Sequence, residues 1–79
     1  MQSPMFSVYD KKTASFSPPF NMKHKNEAIR QWHTVVSDPG TKYGKHPEDF
    51  DLYEIGNFDE STGKMTTHET LVQLASGIQ

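Results

Sequence analysis

The stretch NEAIRQWHTVVSDPG, Asn26 to Gly40, decides the fold. Its apolar residues Ala28, Ile29, Trp32, Val35 and Val36 recur at i, i+1, i+4, i+7 and i+8, the stripe of an amphipathic helix. Asn26 suits the N-cap, Glu27 the positive end of the helix dipole, and Pro39-Gly40 stop the run. The spacing predicts a helix over about 26–38, with Lys25, Arg30, Gln31, His33 and Thr34 on its polar face. A helix with one apolar stripe has to cover something, and the flanking segments indicate what.

Upstream, Met5-Phe6-Ser7-Val8-Tyr9 alternates and is rich in strand formers, and Asp10-Lys11-Lys12-Thr13 reads as a polar turn. Ala14-Ser15-Phe16-Ser17 returns as a second short strand, stopped by Pro18-Pro19, which cannot donate to a ladder. Phe20 should anchor the following loop onto the core. Downstream, residues 39–49 read as a polar loop and Asp51 to Phe58 as a strand. Glu60-Ser61-Thr62-Gly63 is a turn with glycine where a positive φ is often needed, and Lys64 to Thr67 begin a return strand. Thr66-x-x-Glu69 has the spacing of a capping box ahead of Leu71, Val72, Leu74, Ala75 and Ile78, which predicts a short C-terminal helix ended by Gly77.

The expected fold is α+β: two antiparallel β-hairpins, one amphipathic helix packed on the sheet and a short C-terminal helix, in a single small domain over residues 1–79. Along the second hairpin, Leu52 and Phe58 should point opposite to Tyr53 and Ile55. One face then lies under the helix, and the other leaves aromatics available to a partner.

Composition bounds the function classes. Seventy-nine residues at 33% hydrophobic content build only a small core, yet nine aromatic residues spread along the chain argue against disorder. A domain this small, with two sheet edges, is expected to self-associate. The absence of cysteine excludes disulfides and thiolate metal sites and fits a reducing cytoplasm. No run approaches the roughly 18 apolar residues of a membrane span, and MQSPMFSVYD lacks the basic start and apolar stretch of a secretory signal. The expectation is a soluble intracellular protein with no membrane partner.

A net charge of -2 hides an uneven distribution. Residues 1–46 carry seven Lys/Arg against three Asp/Glu, a balance of +4, and residues 47–79 carry one against seven, a balance of −6. Such polarity can create an anion-binding face. It also fits two solvated halves that attract each other, within one subunit or between two.

The carboxylate-rich segment HPEDFDLYEIGNFDESTGK, His46 to Lys64, invites three chemical readings. A phosphate loop requires G-x-x-x-x-G-K-[ST], but six residues instead of four lie between Gly56 and Gly63, and Lys64 precedes Met65. A calcium loop fails because a strand separates Asp49 and Asp51 from Asp59 and Glu60. His46 and His68 could meet Asp49 and Glu69 around zinc, but their spacing does not favour it, and surface histidines are the simpler reading. Nucleophilic catalysis has no cysteine, no G-x-S-x-G and no local Ser-His signature, and a carboxylate pair needs a cleft that domains of this size rarely enclose. No catalytic residue, metal or cofactor is expected.

Nucleic-acid binding carries more weight. Lys11 and Lys12 at a hairpin tip, Lys23 and Lys25 entering the helix and Arg30 on its polar face could line one groove. Phe6, Tyr9, Phe16, Phe20 and Trp32 lie in the same half, where exposed rings could stack on unpaired bases. Against this, several of those rings must form the core, and a net charge of -2 attracts a polyanion weakly. On composition alone, a solvated basic face outweighs a DNA site. Glu48, Asp49, Asp51 and Glu54 form the matching acidic face, suited to a protein partner.

The order of short motifs resembles a known family. The matching residues are Phe16-Ser17-Pro18-Pro19-Phe20, Asn26-Glu27-Ala28-Ile29-Arg30, His46-Pro47-Glu48-Asp49-Phe50-x-Leu52-Tyr53-Glu54-Ile55-Gly56-x-Phe58-Asp59, and Thr62-Gly63-Lys64. From Met5 to about Leu74 the chain is similar to the small nonstructural protein of gokushoviruses, single-stranded DNA phages of the microvirus group (Microviridae). The resemblance implies a viral accessory protein made in the host bacterial cytoplasm. By genomic role that protein is likened to the microvirus protein C, which would imply contacts with single-stranded DNA, replication proteins or the procapsid. It supplies no catalytic residues to carry over. The resulting expectation is a non-enzymatic protein of DNA replication or packaging, with a protein-interaction adaptor as the alternative.

Overall fold

Strand β1 (Gln2–Asp10) sets the frame of the sheet, because its alternation divides apolar anchors from the other face. Phe6 and Val8 point one way and are buried, while Ser3, Met5, Ser7 and Tyr9 point the other way. A computed structural model describes residues 2–78 and places β1 in an antiparallel sheet with β2 (Ser15–Phe16), β3 (Phe20–Asn21), β4 (Phe50–Asp59) and β5 (Met65–Ser76). The path is β2-β1-β4-β5, and β3 also pairs with β1. Helix α1 (Lys25–Val36) covers one face. The molecule is a slab of 38 × 23 × 17 Å.

Both predicted hairpins form. Tyr9 pairs with Phe16 across the first, and Phe58 with Met65 across the second. The second turn closes through hydrogen bonds from Gly63 N to Asp59 O and from Asp59 N to Lys64 O, with Gly63 at φ 74, a conformation glycine adopts without a steric penalty. At the first, Pro18-Pro19 interrupt the outer strand. The ladder is carried past the break by Ser17, whose N–H donates to Val8 O and whose Oγ accepts from Val8 N at 3.1 Å.

The core joins Phe6 and Val8 to Phe50 and Leu52 of β4 and to Ala28, Trp32 and Val36 of α1. Full burial of a side chain such as Leu52 is worth about 1.5–3 kcal/mol. Phe20 packs against this cluster as expected, its ring 5.8 Å from that of Phe6. Trp32 Nε1 donates to Ser76 O at 3.0 Å, so the largest core ring also ties the helix to the end of β5.

Three local expectations need correction. The predicted C-terminal helix is strand β5. Thr66, Thr67, Thr70 and Val72 are β-branched, and the hairpin turn delivers them directly onto β4, so tertiary pairing overrides the capping-box spacing. Gly77 ends no helix; its backbone lies against Pro47, where an added Cβ would collide with the Pro47 carbonyl. Helix α1 begins at Lys25 with His24 at the N-cap in place of Asn26, since Glu27 and Ala28 N–H both donate to His24 O. The loop over 39–49 holds a short helix α2 (Lys42–Lys45), capped by Thr41 Oγ1, and a 3-10 turn at Pro47–Asp49.

Phe58 also differs from its expected side. The pairing of β1 with β4 slips by one residue at Ile55, so Ser7 faces Tyr53 while Ser3 faces Phe58. Ser3 and Ser7 share a face of β1, which puts Phe58 on the Tyr53 side, away from Leu52. β5 is irregular as well. Between Val72, opposite Glu54, and Thr67, opposite Gly56, it carries extra residues, and a second slip beside Leu52 lets Leu74 and Ala75 both reach the core.

Candidate nucleic-acid interface

The face of the sheet away from α1 holds an aromatic cluster near the β1–β2 hairpin. Alternation brings Tyr9 of β1, Phe16 of β2 and Tyr53 of β4 together on that side. The Tyr9 and Phe16 ring centroids are 4.8 Å apart, Phe16 and Tyr53 meet edge-to-face at 5.6 Å, and Tyr9 and Tyr53 at 6.3 Å. Phe16 is 46% exposed, high for a ring with two aromatic neighbours. Small Ser7, buried beside them, donates from Oγ to Ser17 O, so the platform has a satisfied polar floor.

The five cations read from the sequence do not converge on one groove. Lys11 and Lys12 stand at the hairpin turn, next to the aromatic cluster. Lys23 lines a hollow with Gln2, Ser3, His24 and Glu60 near the start of β1, so the two groups are separated by the length of β1, roughly 26 Å at a strand's rise per residue. Lys25 opens α1, and Arg30 lies on its outer side in a shallow depression with Glu27, Gln31 and Thr34.

The acidic residues are divided too. Glu48 and Asp49 lie in the 3-10 turn and Asp51 at the start of β4, close to the hairpin. There Lys11 ties the segments together: its backbone N–H donates to the Asp49 carbonyl at 2.8 Å, and its ammonium donates to the Glu48 carbonyl at 3.2 Å and pairs with Asp51 Oδ2 at 3.6 Å. Asp51 is buried, and among the described residues its Oδ1 has no hydrogen-bond partner. Lys11 therefore neutralises a buried carboxylate within the fold. Glu54, on the helix side, is bonded through Oε2 to His68 Nε2 at 2.8 Å.

His46, Glu48 and Asp49 bring ligand atoms within 4.8 Å of one another at the surface. His68, considered with them from the sequence, is committed to Glu54 instead. Asp59, at the distant β4–β5 turn, has its carboxyl held below the usual aspartate range by the backbone N–H of Ser61, which donates to Oδ1 at 2.9 Å.

Two features escaped sequence reasoning. Tyr53 lies in the acidic half, and only strand pairing joins it to Tyr9 and Phe16. Lys42 sat in a segment without periodicity; folded, its ammonium lies 5.3 Å from the Tyr43 ring centroid and 6.0 Å from that of Phe50. No helix among the described residues is long and apolar enough to cross a membrane.

A family described as phage ORF5 protein matches residues 3–79. Protein ORF5 of Chlamydia phage 1 is 38% identical over 63 residues, which cover 75% of this chain and 66% of that protein. The match thus spans just under two thirds of the relative's own length. No solved structure matches.

Proposed function

The chain belongs to the phage ORF5 protein family, and from that premise we propose that it is a nonstructural protein that binds viral single-stranded DNA during replication or packaging, without catalysis. The family membership bears out the resemblance to the gokushovirus protein; a role like that of the microvirus protein C is our inference from it. The observation that carries the proposal is the open cluster of Tyr9, Phe16 and Tyr53. Unpaired bases present flat faces to such rings, and stacking contributes about 1–3 kcal/mol per base without demanding a sequence.

Phosphates would be contacted first by Lys12, exposed at the hairpin turn, where it lines a hollow with His46. Lys11 contributes less, because Asp51 already holds its ammonium. Lys23, Lys25 and Arg30 would be reached only by a strand extending along the molecule. The expected ligand is therefore an extended single strand, met in the host cytoplasm. Titration of a fluorescent single-stranded oligonucleotide at low and moderate salt tests this. Binding that weakens as salt rises is expected; no binding at either salt contradicts the proposal.

One observation favours a second reading, that of a protein-interaction adaptor. β5 is an outer strand of twelve residues with no lysine, arginine or proline, and Met65 and Val72 are exposed on it. The opposite edge is broken by Pro18-Pro19 into two-residue strands, a protection that β5 shares only through its bulges. An added strand from a viral protein or a second copy would satisfy β5. Sedimentation at high micromolar concentration should then show a mass above that of the monomer, and a strictly monomeric mass contradicts self-association.

A further inference from the structure

Beside the aromatic cluster, on the helix side of the sheet, a cleft of about 310 Å³ opens between the β1–β2 hairpin and α2. That volume falls at the lower end of the roughly 300–1,000 Å³ typical of small-molecule sites. Val8 and Phe50, both buried, form its floor, and Tyr43 stands on the α2 side with Lys42. Tyr43 is held in place by Trp32 and by Phe50, with ring centroids at 5.6 and 4.8 Å. Its orientation is thus fixed before any ligand arrives.

The polar groups are asymmetric. Among the described residues, Lys42 has no carboxylate within ion-pair distance and no hydrogen bond from its ammonium, which rests over the two rings. Lys11, by contrast, is committed to Asp51. On the hairpin side stands Asp10, whose Oδ1 accepts from the N–H groups of Lys12 at 2.9 Å and Thr13 at 3.4 Å. No hydrogen bond among the described residues reaches its Oδ2. The cleft therefore offers a free cation on one side, a free carboxylate oxygen on the other and an apolar floor between. A simple anion would use only the first of these. A flat group carrying N–H donors at one end and a negative charge at the other uses all three.

We infer that this cleft is a subsite for one nucleotide unit, with its base over Phe50 and Tyr43, a base or sugar donor on Asp10 Oδ2 and its phosphate on Lys42. The inference rests on the single-strand reading above. It deepens that reading by placing one nucleotide on the helix side of the hairpin while its neighbours stack on Phe16 and Tyr53.

Deoxyadenosine monophosphate is the probe, titrated into the intact chain and followed by amide NMR signals. Inorganic phosphate and deoxyadenosine are titrated separately. The nucleotide should move the signals of Val8, Thr13, Tyr43 and Phe50, and phosphate alone should not reproduce the pattern. Lys42→Ala should weaken nucleotide binding about tenfold through loss of a charge-assisted contact. Lys45→Ala, on the same short helix and also exposed, should change it by no more than about twofold, as expected for a surface charge. Shifts confined to other residues, identical shifts with phosphate alone, or equal effects of the two lysine variants would overturn the subsite. The oligonucleotide titration with unaltered protein separates the two ideas. If the oligonucleotide binds but the cleft signals stay still, only the subsite falls. If the oligonucleotide does not bind, the single-strand reading falls, and the mononucleotide result alone judges the cleft.

Discussion

The two faces of the same pair of strands are built on different chemistry. Toward α1, β1 and β4 present Phe6, Val8, Phe50 and Leu52, all buried against Trp32, Ala28 and Val36. Away from it, they present Ser7, Tyr9 and Tyr53, with Phe16 alongside and nearly half exposed. Phe6, Val8, Phe50 and Leu52 form the apolar centre that holds the fold together, with Asp10 and Glu54 at the margins of the same face. The second face leaves the rings of Tyr9 and Tyr53 half-buried and that of Phe16 exposed, so they take less apolar surface out of water than the core rings. One strand pair thus presents a closed apolar cluster on one side and a partly open aromatic cluster on the other.

Substitutions on the two faces should separate in the same way. Leu52→Ala removes a side chain that is 1% exposed, and it should destabilise the protein by about 2–5 kcal/mol in denaturant unfolding. For a small domain that is a large share of the total. Phe16→Ala should cost about 1 kcal/mol or less, because the ring is nearly half exposed and loses chiefly its contacts with Tyr9 and Tyr53. Equal losses at the two sites would remove the distinction between the faces. The smallest effect belongs to the far turn. Asp59 is held below the usual carboxylate range by the N–H of Ser61. A lowered folded pKa means that its contribution is complete above the ordinary aspartate range and is lost as pH falls through the folded value. An NMR titration of the Asp59 carboxyl should give a midpoint below that of a free aspartate, and an ordinary midpoint would show that the turn hydrogen bonds do not form in solution.

Much of this organisation is legible in the sequence. The stripe Ala28, Ile29, Trp32, Val35 and Val36 gives the helix, and Pro18-Pro19 and Gly63 mark where strands stop and turn. The misreadings have physical causes. Thr66-x-x-Glu69 satisfies a helix-start pattern, but the pattern is local, and the hairpin commits those residues to β4 first. Phe58 changes face because of a slip at Ile55 that leaves no trace in composition. The charge split was visible, yet its meaning was not. Lys11 spends its charge on buried Asp51 across the fold, so counting charges by half did not give separate faces. The aromatic cluster was half visible, since Tyr9 and Phe16 flank a turn but Tyr53 arrives from a strand 37 positions beyond Phe16 in the chain.

The most direct measurement compares single-stranded oligonucleotide affinity at fixed salt for the unaltered chain and Phe16→Ala, with unfolding followed on the same samples. A loss of about tenfold or more in affinity with stability nearly unchanged is the predicted result, from one stacked base. Undiminished affinity in Phe16→Ala would contradict the assignment of this face to single-stranded DNA.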